Sequence, residues 1–262
     1  MKAAAPGSRP AWLLPDWREA PASLRLLTTL RHGGVSVGPY AGFNLACHVG
    51  DDPAAVEANR AILRSGAALP AGPLWLQQVH GIDVVEHRGP LPALPPRADA
   101  AVAFEPGRVC VVMTADCLPV VFADRAGTRV GIAHAGWRGM VSGVLEATIT
   151  ALRCRPSELI AWLGPAIGQD AFEVGGEVRD AFLDKDPSNV TAFVPNAAGR
   201  FQADLYELAR RTLASAGVRS VSGGGHCTSA ETEQFFSFRR DGVRTGRMAT
   251  LAWLAPETTR SA

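Results

Sequence analysis

Three residues stand within two positions of glycine or proline at the ends of apolar, strand-like runs: His80 in LQQVHG, Cys117 in TADCLP and His134 in IAHAGWRG. Turns of this kind carry side chains from separate strands to one edge of a sheet. Two imidazoles and a thiolate make a borderline-soft ligand set that suits Zn²⁺, and Cu²⁺ binds the same donors more tightly. Three protein ligands leave a fourth position for water or substrate, as in a catalytic zinc site. Two other readings fit the same residues. Buried cysteines and single histidines are often plain core residues, and Cys117 with His80 or His134 matches the covalent nucleophile of a cysteine hydrolase.

The elements that must position this trio are legible in outline. The pattern predicts a strand at 24–30 and then a glycine-punctuated loop, RHGGVSVGPYAGFNLACHVGDDP, ending in a helix capped by Asp51 or Asp52 with Pro53 in its first turn. That helix runs to about Gly66. Residues 74–79 and 82–86 read as strands, GPLPALPPRAD as a surface connection, and 109–114 and 119–123 as buried strands. Pro119 cannot donate a ladder hydrogen bond, so the backbone is expected to leave the sheet at Cys117. A strand at 129–134, the turn HAGWRG and a helix over 140–152 follow. Beyond these lie a strand at 159–163, helices over 176–184 and 204–216, and closing segments at 235–238 and 248–253. This alternation marks an α/β (α+β) domain.

Composition narrows the function. The 262 residues are 47% hydrophobic with mean hydropathy +0.06, enough to bury a full core. Lysine and arginine number 26 against 25 acidic residues, so no bulk field draws the chain to nucleic acid or an anionic membrane, and a small-molecule partner is expected. The five cysteines are an odd number without a CxxC pair, which points to reduced thiols and a cytoplasmic location. No run is apolar for long enough to span a bilayer. Residues 1–20 read as a flexible leader, 21–255 as one catalytic domain and 256–262 as a tail.

Taken together, TLRHGGVSVGPYAGFNLACHVGDDP, LQQVHGIDV, ADAAVAFEPGRVCVVMTADCLPVVFAD, VGIAHAGWRGMVSGVLEATI, WLGPAIGQDAFEVG and CTSAETEQFFSFRRDGVRTGRMATLAWL closely resemble the YfiH-like family, also called peptidoglycan editing factor or laccase-domain polyphenol oxidase proteins. The resemblance runs in order from about residue 27 to 254. It implies a single domain with central mixed sheet layers flanked by helices, and a metal held by His80, Cys117 and His134. It also implies phosphorolysis of the purine nucleosides adenosine, inosine and methylthioadenosine, with deamination of adenosine. Copper polyphenol oxidation and editing of peptidoglycan precursors are the other roles attached to the family.

The residues bear on these roles unevenly. None of the six histidines forms the His-x-His pairs of a trinuclear copper centre, although a single copper fits a His₂Cys set. The H-x-E and P-C-x-x-C signature of zinc nucleobase deaminases is missing, so deamination would need another proton carrier, for which Asp116 and Glu173 are candidates. Phosphorolysis needs phosphate at the anomeric carbon, a task for arginine's planar fork. Arg31, Arg138 and Arg239 lie in the family-like motifs, each equally readable as a surface ion-pair partner. Asn44 and His48 sit in FNLACHVGDD, where polar loop residues face ligands or satisfy the turn's own backbone. We therefore expect Asp116, Arg138 and Glu173 in catalysis, and Arg31, Asn44, His48 and Arg239 around substrate or phosphate.

Overall fold

The computed structural model describes residues 12–256. Its elements run β1 (Trp12–Leu13), β2 (Leu24–Thr29), α1 (Pro53–Gly66), β3 (Val84–Glu86), β4 (Ala100–Ala103), β5 (Cys110–Thr114), β6 (Leu118–Asp124) and β7 (Val130–Ala135). There follow α2 (Trp137–Ser142), α3 (Val144–Ala151), β8 (Leu159–Leu163), β9 (Glu173–Val174), α4 (Gly176–Lys185), β10 (Phe193–Pro195), β11 (Phe201–Ala203), α5 (Leu205–Ser215), β12 (Ser220–Gly223), α6 (Phe238–Asp241) and β13 (Met248–Leu254).

Strand alternation builds the layers. In β6, Val120 and Phe122 face one core while Val121 and Ala123 face the other, because successive side chains leave opposite faces of a strand. β6 belongs to a six-stranded sheet ordered β12-β8-β6-β7-β4-β3, antiparallel at its centre and parallel at both ends. Its outer face packs on α3 and α5 through Leu145, Ile149, Leu208 and Leu213. Its inner face meets a four-stranded antiparallel sheet, β1-β2-β13-β5, through residues such as Ile132, Trp162, Val112 and Leu254. The far side of that second sheet is covered by Leu63 of α1 and by Phe43 and Leu45 of the long loop. Helix, sheet, sheet, helix is thus one mixed α/β domain with its sheets flanked by helices, as expected.

Several local expectations change. Asp52 caps α1 through Ala54 N with Pro53 at the first turn, as the sequence suggests. The helix expected over 140–152 instead breaks at Gly143, whose φ of +106° ends α2 and begins α3. Residues 74–79 do not form a strand and make only the isolated bridges Leu74–Cys110 and Gln77–Arg97. Gln78 supplies the reason: its side-chain amide both donates to Met113 O and accepts from Met113 N, each at 2.8 Å, replacing a strand partner. The strand expected at 82–86 shortens to β3. Half of the expected leader lies outside the described residues; in the rest, Trp12–Leu13 pairs with β2 and Trp17 is buried in the inter-sheet core, so 12–20 are docked rather than loose. The expected tail falls almost wholly outside the described residues.

Candidate metal centre

The β6–β7 ladder places two of the three candidate ligands. Pro119 lies opposite His134 and Leu118 opposite Ala135. Cys117, two residues before Pro119, therefore shares the face of His134, with Gly136 across from it. The chain leaves one sheet at β5 and enters the other at β6, turning through Asp116 at a φ of +94°. The departure that Pro119 implied is this change of sheet.

His80 arrives from the loop before β3, itself left-handed at a φ of +59°. Such a conformation costs a histidine on the order of 1 kcal/mol or more, and the buried carboxylate of Asp99 holds it. Asp99 Oδ1 accepts from His80 N at 2.9 Å, and Oδ2 accepts from Val79 N at 3.0 Å and Gly81 N at 2.7 Å. Oδ1 also accepts from His134 Nδ1 at 2.8 Å. An ionised carboxylate only accepts, so Nδ1 keeps the proton and Nε2 is left as the donor for a metal. One acidic side chain therefore holds both the backbone turn that carries His80 and the ring of His134.

The three ligand atoms lie within 4.8 Å of one another, and Cys117 Sγ is 3.9 Å from His80 Nε2. Tetrahedral zinc with ordinary bond lengths separates sulfur from nitrogen by ~3.5 Å, so this donor set fits a metal ion. Burial pushes the Cys117 thiol up, but the charge and hydrogen bonds of His134 and His80 outweigh it and bring it to about 6. Burial pushes His134 down, yet Cys117 and Asp99 together raise it to about 9. The pair is therefore poised as a thiolate facing an imidazolium; the thiolate is the form that binds metal, and an arriving ion would displace the proton from His134 Nε2.

Gly136 makes room for the cluster. A Cβ there would stand 2.9 Å from Cys117 Sγ and 3.0 Å from His80 Cδ2, while its φ of −66° and ψ of 158° are open to any residue. Space, not torsion, requires the glycine. Gly136→Ala should weaken metal affinity about 10- to 100-fold, the loss typical when support around a metal site is disturbed. Competition against a chelator measures it, and wild-type affinity would show that the ligands yield to the methyl.

The cluster lines a cavity of about 390 Å³, within the ~300–1,000 Å³ usual for small-molecule sites. Met113, Ile167, Phe172 and Phe238 give it an apolar wall, and Arg138, Arg239 and Arg247 bring positive charge. Arg138 rests on the Trp137 ring with its guanidinium carbon 4.4 Å from the centroid. Arg239 packs over Phe172 and donates to Glu173 O at 2.9 Å and Ala171 O at 3.4 Å. Among the described residues, none of the three arginines is paired with a carboxylate. His48 also lines the cavity; although its ring keeps an exposed face, the protein packed around it and then Arg247 lower its pKa from the usual imidazole value.

The other expected site residues serve as supports. Asp116 borders the cavity, but its carboxylate accepts from Thr228 Oγ1 at 2.6 Å, Ser237 Oγ at 3.0 Å and Arg239 N at 2.6 Å, anchoring the 228–239 segment. Glu173 stands off the cavity lining, with its carboxylate on Arg200 and Asn196. Arg31 is also outside the lining, donating to Thr232 O and lying over Phe236. Asn44 is fully buried and satisfies backbone groups, including Arg247 N. These placements do not favour proton transfer by Asp116 or Glu173, nor substrate contact by Arg31 or Asn44. Sequence reasoning overlooked Asp99, Gly136 and Arg247. Asp99 and Arg247 each carry charge at the threshold of a fully buried apolar strand, AAVA and MATLAWL, which was the available signal.

The family model described as multi-copper polyphenol oxidoreductase laccase matches residues 25–255. A protein of Pseudomonas aeruginosa named as a purine nucleoside phosphorylase is 55% identical over 245 residues, covering 93% of this chain and 98% of the relative. The purine nucleoside phosphorylase YfiH of Escherichia coli is 50% identical, covering 92% and 98%. Among solved structures, a Neisseria meningitidis protein superposes with a TM-score of 0.87 at 51% identity, covering 94% of this chain and 99% of that one. YlmD from Geobacillus stearothermophilus gives 0.86 at 30% identity, covering 94% and 96%.

Proposed function

The chain belongs to the family described as multi-copper polyphenol oxidoreductase laccase, and from that premise we propose that it is a metal-dependent purine nucleoside phosphorylase. The observation that carries this reading is the meeting, in one cavity, of a His/Cys/His cluster, arginines that have no carboxylate partner among the described residues, and an apolar wall. Phosphorolysis joins a phosphate oxygen to C1′ as the C1′–N9 bond breaks, and the base leaves with the bonding electrons. Arginine holds the incoming dianion. Phe172, Phe238 and Ile167 offer a surface on which a purine face can be buried. An ion on His80, Cys117 and His134 would supply Lewis-acid polarisation of a coordinated oxygen. Asp99 holds the His80 turn and the His134 ring throughout. We assign adenosine, inosine and methylthioadenosine as substrates, zinc as the resident ion and adenosine deamination as a side activity. The names of the relatives support the phosphorylase part of this assignment.

Incubation of metal-characterised protein with adenosine, with and without phosphate, tests it. Adenine and ribose 1-phosphate should form only with phosphate, and inosine should form in both. Adenosine left intact by fully loaded protein would defeat the proposal. The family description favours a second reading, copper-dependent phenol oxidation at the same His₂Cys set. It requires oxygen uptake that scales with bound copper. Among the described residues, no helix is long and apolar enough to cross a membrane.

A further inference from the structure

Of the arginines lining the cavity, Arg247 is the one whose fork is both fixed and free. Its backbone N donates to Asn44 Oδ1 at 3.0 Å, and its Nη1 donates to the carbonyls of Thr245 at 2.8 Å and Gly246 at 3.0 Å. Nε and Nη2, which form the side-on edge of the guanidinium, have no protein acceptor among the described residues. Arg239, by contrast, spends both Nη atoms on carbonyls, and Arg138 is an exposed side chain on Trp137.

The grip on Arg247 is itself braced. Asn44 Nδ2 donates to Asp51 Oδ2 at 2.8 Å, Ser36 Oγ donates to the same oxygen at 2.7 Å, and Asn59 Nδ2 reaches Ser36 Oγ at 2.9 Å and Asn44 O at 2.8 Å. The loop carrying Ser36, Asn44 and Asp51, together with Asn59 of α1, thus braces the one side chain that holds the Arg247 amide. The guanidinium is half-buried beside His48 and, in the same cavity, the metal ligands. Burial works against its charge, opposed by Cys117 and then Asp116, neither of which bonds it. A cation desolvated without a bonded counter-charge gains most from an anion that arrives with the substrates.

We propose that Arg247 holds inorganic phosphate on its Nε and Nη2 edge, and that Asn44 is a positioning residue acting through the Arg247 backbone. The pairing is bidentate, two parallel N–H···O bonds to one oxyanion, which a lysine cannot reproduce. This rests on the phosphorylase reading for its biological sense and for the KM comparisons, though not for the phosphate titration.

The test titrates inorganic phosphate into full-length, metal-loaded protein, with and without nucleoside, and follows binding by calorimetry before turnover is examined. Arg247→Met should weaken phosphate binding about 10- to 100-fold, the loss typical of a hydrogen bond to a charged group. Metal content and the KM for nucleoside should stay within about threefold of wild type, less than the ~1.4 kcal/mol that a tenfold change represents. Arg247→Lys, which keeps the charge, should recover only part of the affinity. Asn44→Ala should raise the KM for phosphate and leave that for nucleoside in place; equal movement of both would overturn the positioning role. Wild-type phosphate affinity in Arg247→Met, or no phosphate binding by wild type at millimolar concentration, would overturn the subsite. Phosphate bound through Arg247 by a protein that cleaves no nucleoside would leave the subsite standing and remove the phosphorylase.

Discussion

Cys117→Ala is expected to release the metal and lower nucleoside turnover by about a thousandfold or more, since Lewis-acid stabilisation is worth several kcal/mol. The fold should survive, because the thiol sits just before the start of β6, beside the cavity rather than in a hydrophobic cluster. Metal content by mass spectrometry and the thermal transition are the two readouts. Retained metal with lost turnover would instead favour Cys117 as a covalent nucleophile. Alkylation gives an independent check. With metal bound, Cys117 should resist iodoacetamide, and chelation should make it react quickly because its neighbours hold the thiol near 6. Cys110, pushed up to about 12 by burial, should stay unmodified in both states. A Cys117 that reacts equally fast with and without metal would refute its role as a ligand.

Asp99→Asn is expected to be the most damaging substitution of a residue that would not touch the ion. Asp99 offers two acceptor oxygens to four donors, the amides of residues 79–81 and His134 Nδ1. An asparagine has one acceptor oxygen, so its NH₂ must confront two of those donors in a buried site. Two buried donors left unsatisfied cost about 2–6 kcal/mol together, a large share of an ordinary stability of roughly 5–15 kcal/mol. Metal affinity should fall about 10- to 100-fold as the His80 turn and the His134 ring lose their support.

The acid limb of stability should change as well. Burial raises the pKa of Asp99, but the His134 hydrogen bond and those of the backbone amides outweigh it, so the folded value lies below the ordinary one. A depressed carboxylate contributes stability above its unfolded pKa, about 3.9, and that contribution is lost as pH falls through the folded value. Wild-type protein should therefore lose stability on acidification below about 4, and the asparagine variant should lack this component. Denaturant midpoints across a pH series measure both effects. A variant with wild-type stability and metal affinity would mean that the 79–81 turn holds itself.

The sequence by itself determined the parts whose causes are local. Asp51 or Asp52 with Pro53 marked the start of α1, and Leu205, Leu208 and Leu213 at helical spacing marked α5, because capping and helical period act within one or two turns. His80, Cys117 and His134 were legible as a trio because each stands within two positions of a turn residue at the end of an apolar run, and the fold brings them together. Their support was not legible. Asp99 meets His80 and His134 across 19 and 35 residues of chain, Asn44 meets Arg247 across 203, and Gly136 matters only because the β6–β7 register sets it opposite Cys117. Arg31 and Arg247 read alike as text, each beside glycine-rich sequence at a strand end. Only the packing of the two sheets decided that Arg31 lies over Phe236 while Arg247 lines the cavity. Residue type and local period choose the candidates, whereas register and long-range hydrogen bonding choose which of them share a site, because a contact between distant segments leaves no trace in either segment alone.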